Sequence, residues 1–95
     1  MNLRTMYDYV LSGKFKRFCC ENNIDLKKIS VEIKHYEKVL FKKDDQELDN
    51  VELFIKKSIE SFIFGCYMLY DDDMLYSREY CIIVKDNNSQ DHELY

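Results

Sequence analysis

Three consecutive aspartates, Asp71-Asp72-Asp73, lie between two copies of Met-Leu-Tyr and form the densest group of potential cation ligands in the chain. A hard cation such as calcium needs about six to eight oxygen ligands converging on one point. Three neighbouring side chains diverge on a helix and on a strand alike, and the spaced acids and glycine of a calcium loop are absent from the sequence. The run is better read as a polar joint, closing one apolar element and capping the next, or as an acidic docking loop. No metal site is expected here.

His35 and His92 are the two histidines, and neither belongs to a metal-binding or metalloprotease spacing. On the helix expected for this region, His35 would sit on the solvent side. A nucleophile pair of Cys19 or Cys20 with His35 could form only through tertiary contact. Nor does the chain contain a glycine-rich loop to hold a phosphate, its glycines being Gly13 and Gly65 alone. The expectation is a protein that is not an enzyme and carries no cofactor. Cys19, Cys20, Cys66 and Cys81 lack zinc spacing and no secretory signal accompanies them, so free thiols are expected.

A different chemistry is offered by Lys14, Lys16 and Arg17, which interleave with Phe15 and Phe18. Cations between aromatic rings suit a nucleic-acid backbone and its bases. Lys27, Lys34 and Lys38, with Lys42, would extend this surface if residues 25–43 were one helix. The charge is divided along the chain: residues 1–43 hold ten Lys/Arg against five Asp/Glu, a net of +5, whereas residues 44–95 have a net of −9. The total of −4 argues against a dedicated nucleic-acid binder, which is usually basic.

The elements that position these groups are read from hydrophobic spacing. Ninety-five residues, 46% of them hydrophobic, with no proline and two glycines, suggest one domain built from few, long elements. Thr5 to Asp8 resembles a helix start, and Gly13 either bends that helix or separates two short ones. Leu26, Ile29, Ile33, Tyr36 and Leu40 fit a helix over about 25–43 capped by Asp25. The alternation of Ile29, Val31 and Ile33 fits a short strand as well, but the helical spacing covers more residues. Leu48, Val51, Ile55, Ile59, Phe62, Cys66 and Leu69 hold one face of a third helix over about 46–70. Its second half is apolar nearly all round, which leaves Phe62–Tyr70 as surface to be covered by a partner or by a second copy. Residues 80–84 suit a strand or a turn of helix.

The expected fold is therefore an all-α bundle of three to four helices over 1–85, with a flexible tail at 86–95. An α+β arrangement with a C-terminal β-hairpin around 67–84 is the alternative. The expected function is that of a non-catalytic, cytoplasmic protein-binding module that contacts a basic protein surface through Tyr70, Asp71, Asp72, Asp73, Tyr76 and Glu79. Chains of this size and composition in phages and mobile elements suggest an inhibitor of a host defence protein. Self-association and nucleic-acid binding through the basic N-terminal half are the competing uses. No membrane association is expected, because the longest apolar run is too short to span a bilayer.

Overall fold

Ile29, Val31 and Ile33 alternate with Ser30, Glu32 and Lys34, and this period of two decides the local structure. The computed structural model describes residues 1–69, 77–86 and 88–94, and within 62–69 the backbone only. Along them run α1 (Leu3–Leu11), α2 (Lys14–Glu21), β1 (Ile29–His35), β2 (Lys38–Gln46), α3 (Leu48–Leu69), β3 (Tyr80–Lys85) and β4 (Asp91–Leu94). The strands form one antiparallel sheet in the order β2-β1-β3-β4. The fold is α+β, and the expected all-α bundle is incorrect.

The cause of that error lies in β3. Tyr80, Cys81, Ile82, Ile83 and Val84 are all buried, so β3 requires a strand on each side and cover on each face. β1 supplies the first neighbour, setting Val31 opposite Val84 and Ile33 opposite Ile82. β-Branched residues suit that pleated, packed position, and the tertiary partner overrides the helical spacing of Leu26 to Leu40. The alternative expectation of an α+β fold matches the class observed; of its hairpin around 67–84, residues 67–69 belong to α3, 80–84 to β3, and 70–76 lie outside the described residues. Among the described residues the strand hairpins turn at Tyr36-Glu37 between β1 and β2 and after Asp86 between β3 and β4. Asp91–Leu94, within the expected tail, supply the strand β4.

One face of the sheet carries Val31, Ile33, Tyr80, Ile82 and Val84, and the helices cover it. Leu3, Met6 and Val10 come from α1, Phe15 and Cys19 from α2, and Val51, Ile55 and Ile59 from α3. Each such aliphatic side chain, once buried, contributes about 1.5–3 kcal/mol against the entropy of ordering the chain. The α3 stripe follows the expected spacing as far as Ile59; the side chains of Phe62, Cys66 and Leu69 lie outside the described residues.

Local signals match the expected positions unevenly. Asn2, not Thr5, caps α1, its Oδ1 accepting the Thr5 N–H at 2.8 Å. Gly13 separates α1 from α2 with φ of +79°, a conformation in which any other residue is strained. Asp25 closes a turn by accepting the Lys27 N–H at 2.9 Å, and no helix follows it. Among the described residues no helix is long and apolar enough to cross a membrane.

Candidate functional site

β2 is an edge strand, and alternation along it sends neighbouring side chains to opposite faces of the sheet. Phe41 pairs with Ile33 and Lys43 with Val31, so both project to the side of the helices. Lys42 pairs with Glu32 on the other side and approaches its carboxylate at 3.8 Å. Facing Phe41 and Lys43 is the α3 surface of Asn50, Leu53, Phe54 and Lys57, one helical turn apart. Between strand and helix lies an open groove of about 530 Å³.

The groove has an apolar floor and a basic rim. The Phe41 and Phe54 rings meet edge to face, with centroids 6.4 Å apart at 83°. Lys43 Nζ lies 5.9 Å from the Phe54 ring centre, within cation–π range. Leu53 is 49% exposed beside them, and Lys57, also exposed, closes the far side. Gln46, Ser58 and Ser61 also line the groove, and among the described residues its lining includes no acid.

No protein-family model matches this chain, and no curated protein or solved structure is similar to it.

The residues expected to bind a partner are only partly placed. Tyr70, Asp71, Asp72, Asp73 and Tyr76 lie outside the described residues. Glu79 is exposed, and its backbone serves the hairpin: its carbonyl accepts the Tyr36 N–H at 3.1 Å, and its own N–H donates to Ser77 Oγ at 3.2 Å. The expected basic surface is dispersed. Lys14, Lys16 and Arg17 are exposed on α2, Lys27 is in the turn after Asp25, Lys34 lies on the sheet face away from the helices, and Lys38 opens β2. The stripe from Lys27 to Lys42 required a helix that does not form.

His35 is likewise displaced from the solvent-facing helix position. At the end of β1 its ring packs against Tyr80, with centroids 4.6 Å apart, and its Nε2 lies 2.9 Å from Ser77 Oγ. Because Ser77 Oγ also accepts from Glu79 N, this contact ties the end of β1 to the segment entering β3. Cys19 is buried in the core, and burial pushes its thiol up to about 12, so it is not a thiolate near neutral pH. Cys20, its neighbour on α2, is exposed. Among the described residues no cluster of three or more His, Cys, Asp or Glu could hold a metal ion.

A second depression, of about 430 Å³, lies where β1, β2 and β3 share an end and is lined by Lys28, Ser30, Asp45, Lys85, Asp86 and Ser89. Of its two acids, Asp86 has its carboxylate engaged within the fold, and Asp45 is held through its backbone. Asp45, with φ of +54°, sits at a register shift of β2 and donates its N–H to Ser30 Oγ at 3.2 Å. Asp86 Oδ1 accepts from Asn88 N at 2.8 Å and Gln90 N at 3.0 Å, while its Oδ2 lies 2.9 Å from His92 Nε2.

Sequence reasoning missed the groove because the helix drawn over 25–43 put Phe41 and Lys43 at its end. One usable signal was present: Leu53 and Phe54 leave the α3 stripe just before Lys56-Lys57.

Proposed function

We propose that this protein is a non-catalytic protein-binding module whose contact surface is the groove between β2 and α3. The observation that carries this reading is the pairing of two features at one place. Among the described residues no strand lies beyond the outer edge of β2, whose alternate backbone N–H and C=O groups are directed to that side. Directly beside that edge, Leu53, Phe41 and Phe54 offer apolar surface to whatever pairs there. Main-chain pairing with side-chain pockets alongside is a recurring mode of protein recognition.

Affinity capture with wild-type protein and with Leu53→Asp tests the reading. Leu53 is half exposed, so the substitution places a charge in the groove while leaving the core alone. A partner retained by wild type through nuclease treatment, and lost from Leu53→Asp with unchanged circular dichroism, is the expected result. Equal retention by both proteins, or retention abolished by nuclease, would show that the groove is not the protein-binding surface.

A further inference from the structure

We propose that the exposed ridge of α3 pairs with the same ridge of a second copy of this chain, antiparallel about a two-fold axis at Leu53. The inference goes beyond the binding-module reading and does not depend on it.

Apolar exposure marks the place. Leu11 and Leu53 are 55% and 49% exposed, and both border one depression of about 270 Å³ between α1 and α3. Val10 forms part of its wall, with Asp49, Glu52 and Lys56 of α3 around it. An exposed leucine beside a recess with an apolar wall is self-complementary, because each copy offers the side chain and the place that receives it. Closed two-fold pairs are built from such patches.

Charge sets the direction. Asp49, Leu53 and Lys57 follow one another at four-residue steps and are all exposed, so they form one ridge along α3. Asp49 stands about 6 Å before Leu53 along the helix axis, and Lys57 about 6 Å beyond it. An antiparallel pairing centred on Leu53 therefore sets Asp49 of each copy against Lys57 of the other. A parallel pairing would set aspartate against aspartate and lysine against lysine, and like charges so placed disfavour it. Opposite charges at equal distances from one apolar centre are what a second copy matches; a foreign partner has no need of that symmetry.

Leu53 also borders the groove between β2 and α3. A second copy and a partner seated in the groove therefore contend for one side chain. With so small an apolar area the pair of copies is weak, with a Kd on the order of 0.1 mM.

Sedimentation equilibrium of the full chain from roughly 0.01 to 1 mM tests the pairing. Wild type should pass from monomer to dimer over that range, and Leu53→Asp should remain monomeric. Asp49→Lys and Lys57→Glu, each alone, should weaken association about tenfold, since each replaces both ion pairs by like charges. Mixed in equal amounts, the two variants should associate about as tightly as wild type, because the mixed pair has opposite charges at both contacts. Asp49 lies in the first turn of α3, where a negative charge favours the helix. Circular dichroism and recovery in the mixture together separate loss of folding from loss of pairing. A monomer at every concentration, a dimer indifferent to Leu53→Asp, or a mixture no tighter than its separate components would each overturn the proposal. The module reading would survive any of these if a captured partner is lost from Leu53→Asp and kept by Asp49→Lys, since Asp49 is absent from the described lining of the groove.

Discussion

The rings of Phe54 on α3 and Phe41 on β2 meet edge to face, with centroids 6.4 Å apart and planes at 83°. This contact joins the edge strand to the longest helix and forms the floor of the groove. The packing of the edge strand and the lining of the groove therefore share these two side chains.

Removing either ring should destabilise the fold without abolishing it. Both are partly buried, so Phe54→Ala should cost less than the ~3–5 kcal/mol of a fully buried phenylalanine, about 2 kcal/mol. The Phe41→Ala, Phe54→Ala and double variants, measured by urea unfolding, should show a coupling of about 0.5–1.5 kcal/mol. Additive losses would mean that the rings do not interact in solution.

Acid should loosen β4 before the rest of the sheet. The hydrogen bond from His92 and those from the Gln90 and Asn88 N–H groups hold the Asp86 carboxyl below its ordinary value. A group whose folded-state pKa is lowered stabilises the fold above the unfolded value, about 3.9 for aspartate. That contribution is lost as pH falls through the lowered folded-state value. The protection of the Asp91–Leu94 amides, with exchange corrected for its intrinsic pH dependence, should therefore fall on acidification in wild type. Asp86→Asn should show faster exchange already at neutral pH, with little of the acid-dependent step remaining.

Thiol labelling should separate the adjacent cysteines of α2. Cys20 is exposed and should react with a maleimide at neutral pH under native conditions. Cys19, fully buried with its thiol pushed up to about 12, should react only as fast as the protein opens. Peptide mapping after brief labelling reads the difference. Equal modification of the two would contradict the placement of Cys19 against the sheet.

The β1–β2 turn makes a backbone prediction. Tyr36 has φ of +55° and is 65% exposed, so its conformation, not burial of its ring, limits substitution. Tyr36→Val puts a β-branched residue into the left-handed region and should cost about 1–2 kcal/mol. Tyr36→Asn tolerates that region and should remain within about 0.5 kcal/mol of wild type. Thermal melts of the two variants should fall in that order.

How far the fold could be read in advance varies along the chain. The α3 stripe of Val51, Ile55 and Ile59 was legible because one period dominated without a rival. Ile29, Val31 and Ile33 satisfied the strand period while Leu26, Ile29 and Ile33 satisfied the helical one, and local spacing had no means of choosing. Asp91–Leu94 carried no periodicity to read, since a four-residue edge strand is defined by pairing with β3 and not by a buried face of its own.

Composition and spacing alone determined a chain with enough apolar residues for a core, a helix over most of 46–70, and a bend or break at Gly13. Tertiary structure decided that residues 29–46 are a hairpin, because β3 is buried on both faces and must be flanked by strands. By the same pairing it made β2 an edge and turned Phe41 and Lys43 toward Leu53 and Phe54. The groove exists only once residues far apart in the sequence are brought together, and no local propensity encodes that juxtaposition.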